Sequence, residues 1–350
     1  MIIPRQDGIV EELRKRIARG DYPEKLPGGN ALAQEFGVNV KTMNKALARL
    51  VRIGLVERRR RFGTAVRRRE PDSTLRTVEI IYNGIDSAFS HPFWSPIFSG
   101  AVRVLEQAGF HPVLNPVGRT RSQTEKLETY RPLTCCGRIV LGIHDIRFAD
   151  RLKREPEPFV FAGDSIQGRG IPQVVLSSCK AAQKTISLMC ERGFAKFAFL
   201  GDMQLFEDSG MHNKFIVWRD AVRKYMPVDP DLVIHTSPAS GEGAAAVKEL
   251  LTRTVPDAIF VGFGTLLPEV ENVLREAKLA VPVISFDGAL LPGYAGPPQP
   301  IVLPLAECGE TAARNLLAAV STGKMPPDVH FEAVCIPEAV PARPKAGGMR

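Results

Sequence analysis

The chain lacks most of what marks membrane proteins, secreted proteins and common enzymes. No stretch approaches the roughly 18–20 continuous apolar residues that a membrane helix needs. Charges stand where a signal peptide would carry its apolar core, so neither export nor a membrane partner is expected. The six cysteines (Cys135, Cys136, Cys179, Cys190, Cys308 and Cys335) show no metal-ligand spacing, and Cys135 and Cys136 are too close in sequence for an ordinary disulfide. They read as reduced thiols of a cytoplasmic protein. No G-x-G-x-x-G follows the first strand of the long C-terminal region, and neither a G-x-S-x-G elbow nor a Walker loop occurs. The six histidines are scattered, and His144-Asp145 reads as a loop pair. The sequence therefore implies no enzyme, no metal and no cofactor.

What is present is a lopsided charge. Residues 1–76 hold 18 Lys and Arg against 9 Asp and Glu, a net +9. The whole chain has 46 and 38, so residues 77–350 hold 28 and 29, a net −1. A positive field confined to one small segment attracts phosphate polyanions and releases their counterions on contact.

Periodicity builds that segment. Ile9, Leu13 and Ile17 recur every four residues, with Val10 beside them, which predicts a helix over 6–19. Leu26-Pro27 and two glycines make an extended turn, and Leu32 and Phe36 give one face of a short second helix ended by Gly37. Asn39 is placed to cap a third helix whose Met43, Ala46, Leu47, Leu50 and Val51 form a core-facing stripe. Its outer face holds Lys41, Asn44, Lys45, Ala48 and Arg52, and Gly54 stops it. Residues near the start of such a helix reach base edges: Asn44 can bond adenine or phosphate, and Lys41 and Lys45 can meet phosphate or guanine. Strands predicted over 55–59 and 64–68 flank Arg60-Arg61-Phe62-Gly63. Arg58, Arg59, Arg60 and Arg61 on this hairpin suit phosphate or minor-groove contact.

Leu26-Pro27, Leu32-Ala33, Phe36-Gly37-Val38-Asn39, Thr42, Ala46-Leu47, Leu50, Gly54-Leu55-Val56 and Gly63-Thr64 with Val66 fall in one ungapped register. Together they resemble the GntR-type winged helix-turn-helix of bacterial transcription regulators, over about residues 5–68. The resemblance implies a double-stranded DNA operator and a DNA-binding set of Asn30, Asn39, Lys41, Thr42, Asn44, Lys45, Arg58, Arg59, Arg60, Arg61, Gly63 and Thr64. Where the family often carries Arg, this chain has Asn30, Val40 and Asn44. Losing three guanidinium groups weakens bidentate guanine reading, so the operator of better-known relatives does not carry over.

Glu70-Pro71-Asp72-Ser73-Thr74 is polar and breaks periodicity, so residues 70–76 read as a linker. Beyond them, strands are predicted at 78–82, 112–115, 138–142, 159–162, 174–176, 197–200, 232–235, 258–261, 283–286 and 301–303. Helices are predicted at 96–108, 179–192, 213–225, 243–252, 267–277 and 305–320. Short apolar strands alternating with helices imply an α/β fold with parallel sheets buried on both faces. Two runs of this alternation predict two lobes with a cleft between them.

Ser90-His91-Pro92-Phe93-Trp94 before an amphipathic helix, Gly137–Gly142, Phe159–Asp164, the segment 192–201, Lys214–Val222, Pro256–Phe260, Val281–Asp287 and the tail Pro297–Leu317 resemble, in order and spacing, the LacI/GalR effector domain. That is a periplasmic-binding-protein-like fold. The resemblance implies a DNA-binding domain over 1–69, a linker over 70–76, an effector and dimerisation domain over 77–340 and a tail over 341–350. Lobe 1 would comprise about 77–165 and 288–320, and lobe 2 about 166–287 and 321–340. It also implies a homodimer and a small-molecule effector, a sugar or related metabolite, bound by Phe93, Trp94, Asp164, Lys214, Trp218 and Asp287. Lys214 stands where relatives carry a ligand-binding Arg, and Gly264 and Ser177-Ser178 stand where they carry Asp. The expected protein is a ligand-responsive repressor; the competing reading is a DNA-binding dimer whose α/β domain has lost sensing.

Overall fold

The computed structural model describes residues 6–343 except 20, 23, 53–54, 60–61, 67–75, 84–90, 118–127, 164–165, 167–169, 203–213, 238 and 289–293. The chain divides into two compact units, Met1–Leu75 and Arg76–Arg350.

The first unit holds α1 (Gln6–Arg19), α2 (Gly29–Glu35), α3 (Val40–Arg52) and a hairpin of β1 (Val56–Arg59) and β2 (Gly63–Val66). Ile9, Leu13, Leu26, Leu32, Met43, Ala46, Leu47, Leu50 and Val56 form its core. Val51, predicted to join that stripe, is instead 37% exposed, because the core-facing arc of α3 is complete with Met43, Ala46, Leu47 and Leu50. The hairpin pairs Val56 with Val66 and Arg58 with Thr64. Backbone bonds from Leu26 N to Thr64 O (2.9 Å) and from Val66 N to Glu24 O (2.9 Å) tie the segment before α2 onto β2.

The second unit contains two parallel sheets. In lobe 1 the strands are β3 (Thr77–Asn83), β4 (His111–Val117), β5 (Gly137–Leu141), β6 (Phe159–Gly163), β7 (Gln173–Ser177) and β13 (Val329–Glu332), ordered β13-β7-β6-β5-β3-β4. Helices α4 (Trp94–Gln107) and α10 (Leu305–Thr322) cover one face, and α5 (Ile146–Leu152), capped by Asp145, covers the other. In lobe 2, β8 (Phe197–Gly201), β9 (Val233–His235), β10 (Ala258–Val261) and β11 (Val283–Ser285) are ordered β11-β10-β8-β9. Helices α6 (Cys179–Glu191) and α7 (Lys214–Val222) pack on one face, α8 (Glu242–Arg253) and α9 (Leu267–Glu276) on the other.

Two boundaries within this unit differ from the sequence expectation. β7 was expected in lobe 2, yet it pairs with β6 and β13 in the lobe 1 sheet; β13 was likewise expected in lobe 2. The apolar run of β7 is compatible with either sheet, and its pairing with β6 decides. The segment predicted as a parallel strand over 301–303 is β12 (Ile301–Val302), paired antiparallel with β14 (Val334–Cys335).

The chain thus crosses between lobes three times: at Ser178, between Asp287 and Leu305, and at Ala333. Backbone bonds lace the crossings together. Ala333 N donates to Ser177 O (2.7 Å), and Ile336 N donates to Pro300 O (2.8 Å).

One polar cluster lies inside lobe 1. Glu79 on β3 (0% exposed) accepts from Arg138 Nε (2.9 Å), Tyr130 Oη (3.1 Å) and Asn115 Nδ2 (2.5 Å). Arg138 also donates from Nη1 to Glu157 (2.9 Å). A buried charge is tolerable only when paired and hydrogen-bonded, and here the cluster fastens the 130–136 segment to the sheet. Burial pushes the Cys135 thiol up to about 11 and the Tyr130 phenol well above its ordinary value.

Candidate nucleic-acid interface and effector cleft

The DNA-facing candidates are built by α3 and the hairpin. Asn39 Oδ1 accepts from Thr42 N (2.7 Å), which caps α3 and commits that oxygen to the backbone. Lys41, Asn44 and Lys45 on α3, and Asn30 on α2, are exposed, while Thr42 is half-buried. On β1, period-2 alternation puts Arg58 on the same face as Val56, which is buried in the core against α3. The Arg58 guanidinium therefore reaches back to α3, and Nη2 donates to Asn44 Oδ1 (3.1 Å). Gly63 is exposed and Thr64 half-buried at the start of β2. Lys25 Nζ lies 5.1 Å from the ring centroid of Phe62, which is 42% exposed. Arg60 and Arg61, and the side chain of Arg59, lie outside the described residues.

The second set of candidates sits at the carboxyl ends of the strands of the two lobes, where open α/β sheets bind ligands. In lobe 1, Trp94 opens α4, and its indole lies over the ends of β5 and β6. A Cβ on Gly163 (φ +106°) would come 2.7 Å from Trp94 Cζ3, and one on Gly142 would come 3.3 Å from Cζ2. Only glycine lets the strand ends pass under the ring. Phe93 meets Trp94 edge-on, 4.7 Å between centroids, but is only 7% exposed within the lobe 1 core. Phe93 packs in the lobe 1 core and supports the Trp94 ring.

In lobe 2 the structure brings Lys214 and Asp287 together. Lys214 Nζ donates to Gly262 O (2.7 Å), lies 3.6 Å from Asp287 Oδ2 and sits 5.2 Å from the Phe263 ring centroid. Asp287 is 5% exposed; it accepts from Gly264 N (3.1 and 3.2 Å) and from Ser285 Oγ (2.6 Å). Its oxygens are engaged by the protein itself. Trp218, expected in the ligand set, is fully buried between Phe199 and Phe215. α7 packs that face onto β8, so Trp218 belongs to the core of lobe 2. Asp164 lies outside the described residues.

Two side chains not singled out in the sequence stand at strand ends of opposite lobes. Asn83 Oδ1, at the end of β3, and Thr265 Oγ1, just past β10, are buried with no hydrogen-bond partner among the described residues. Orphaned buried polar atoms are rare. Their position after the carboxyl end of a strand was the signal that could have found them. Among the described residues no group of three or more His, Cys, Asp or Glu is placed to hold a metal, and no helix is long and apolar enough to cross a membrane.

A winged helix-turn-helix joined to a two-lobed parallel α/β domain defines a DNA-binding regulatory protein with an effector-type domain. More particularly, residues 5–66 match the gntR family of bacterial regulatory proteins, and residues 186–337 match the periplasmic binding protein-like domain. The probable transcriptional regulator PhnF of Escherichia coli (strain K12) is 32% identical over 142 residues, 41% of this chain and 55% of PhnF. The match therefore spans about half the length of that relative. Among solved structures, a transcriptional regulator CelR–cellobiose complex superposes with a TM-score of 0.61 at 20% identity, over 89% of this chain and 98% of the other. A LacI-family regulatory protein from Chloroflexus aggregans gives 0.63 at 20% identity, over 74% and 96%. The transcription regulator GntR from Chromobacterium violaceum gives 0.61 at 21%, over 74% and 97%. At these identities the likeness is one of fold.

Proposed function

We propose that this chain is a cytoplasmic transcriptional repressor that binds a pseudo-palindromic operator as a homodimer and releases it when a small molecule enters the cleft between lobes. A gntR-type unit supplies the grip on DNA, and the two-lobed unit supplies the ligand dependence. The observation that carries the sensing half is the pair of unpartnered polar atoms at strand ends of opposite lobes, Asn83 Oδ1 near Trp94 and Thr265 Oγ1 just past β10. A polyhydroxylated ring fits such walls: an indole face for its C–H surface, Asn83 and Thr265 for its hydroxyls, and Lys214 as a donor. The effector shifts operator affinity only by its differential affinity for the open and closed lobes.

A second reading has its own observation. Lys214 and Asp287 already satisfy one another, as in a domain that has lost sensing and serves only to pair two chains. A thermal-shift screen of mono- and disaccharides, cellobiose included, followed by operator binding with each hit, separates the two. A ligand that raises Tm and weakens operator binding supports sensing; operator binding as a dimer with no ligand response supports the scaffold.

A further inference from the structure

The hydrogen bond between Asn44 and Arg58 joins the recognition helix to the wing, and its chemistry restricts what Asn44 can read. A guanidinium only donates, so the Asn44 atom facing Arg58 Nη2 at 3.1 Å must be the amide oxygen. That oxygen therefore faces the hairpin residue, and the two Nδ2 hydrogens are the donors that Asn44 retains. Bidentate reading of adenine needs the amide oxygen to accept from N6 while Nδ2 donates to N7. Arg58 takes one of the two lone pairs of that oxygen and so competes with the adenine pose. Arg58, having spent one N–H on Asn44, keeps four donors held against the outer face of α3. Both residues are exposed, so the donors are free to meet DNA.

We propose that Asn44 and Arg58 form one reading unit, in which the amide positions a wing guanidinium beside the recognition helix and the pair presents mainly donors. Its complement in the major groove is the O6/N7 acceptor edge of guanine. The guanidinium missing from position 44 is returned from the hairpin, one turn of structure away. This rests on the reading of residues 6–66 as a DNA-binding unit and assigns the specificity of that unit.

The test is selection of operator half-sites from a random duplex pool by the full-length protein, followed by affinity measurements on Asn44→Ala, Asn44→Asp, Arg58→Lys and the double variant Asn44→Ala/Arg58→Lys. Thermal melts of each variant keep loss of fold separate. Wild type is expected to select a guanine in each half-site, with guanine→adenine or guanine→7-deazaguanine weakening binding about tenfold or more. Asn44→Ala and Arg58→Lys should each largely erase that discrimination, and the double variant should lose little further, as expected of coupled residues. Asn44→Asp keeps the acceptor for Arg58, so it should retain the guanine preference at lower overall affinity. An adenine preference that Asn44→Ala loses and Arg58→Lys keeps would overturn the proposal, as would variants that weaken every sequence equally, the mark of a phosphate contact. If wild type selects no site at all, the DNA-binding reading itself fails and this inference with it.

Discussion

Lys214 Nζ lies 3.6 Å from Asp287 Oδ2 while donating to Gly262 O at 2.7 Å, so this ammonium is held by the protein's own carboxylate and carbonyl. Asp287 also accepts from Gly264 N and Ser285 Oγ, and its contact with Lys214 is long at 3.6 Å. Lys214→Met is therefore expected to destabilise the fold less than Asp287→Asn does, while abolishing any effector-dependent change in operator affinity. Asp287→Asn leaves a buried donor set mismatched and should cost about 1–3 kcal/mol. The reverse ranking would show that Lys214, and not Asp287, holds the strand ends together.

Gly163 and Trp94 give an optical test. The Gly163→Ala methyl meets the indole at 2.7 Å on a backbone with φ +106°, so both overlap and strain oppose it. A destabilisation of about 1–3 kcal/mol is expected, with a shift in Trp94 emission. The chain has two tryptophans, and a Trp218→Phe background isolates Trp94. Unchanged emission would mean that the ring is not seated on Gly163.

The buried pair in lobe 1 should behave asymmetrically. Arg138→Met strands Glu79, which is 0% exposed, and is expected to cost about 3–5 kcal/mol. Replacing Glu79 and Arg138 together by apolar residues should cost less than the single change, which a double-mutant cycle in urea would read.

Alkaline pH should unfold the same region. Cys135 and Tyr130 are acids whose pKa is raised by burial, Cys135 from 9.0 to about 11. Their contribution is complete below the ordinary thiol pKa and is lost as pH rises toward and beyond 11, because the unfolded chain gives up its protons first. Stability should fall between pH 9 and 11 and fall less steeply in Cys135→Ala. In the native state Cys135 should resist alkylation at neutral pH, since the thiolate is the reactive form.

The sequence made much of this legible. Helix α1 and the cap at Asn39 follow from spacing and residue chemistry, and the apolar runs of β5, β6, β8 and β10 mark sheet buried on both faces. Strand β13 escaped because Val329, His330, Phe331 and Glu332 alternate weakly and carry two polar residues, as an edge strand does. Helix α5 escaped because it spans only Ile146–Leu152. The burial of Trp218 was not legible because Phe215, Ile216, Val217 and Trp218 run consecutively, and a run without period does not say which face is buried. Partners were the least legible part. Nothing local links Lys214 to Asp287, or Asn44 to Arg58; each pair meets only when separate elements fold together.

The three laced crossings have a mechanical consequence. Segments bonded side by side, with Ala333 on Ser177 and Ile336 on Pro300, resist sliding past one another and resist wringing about their long axis. Any change in lobe opening must therefore bend these bonded segments together or break the bonds that join them.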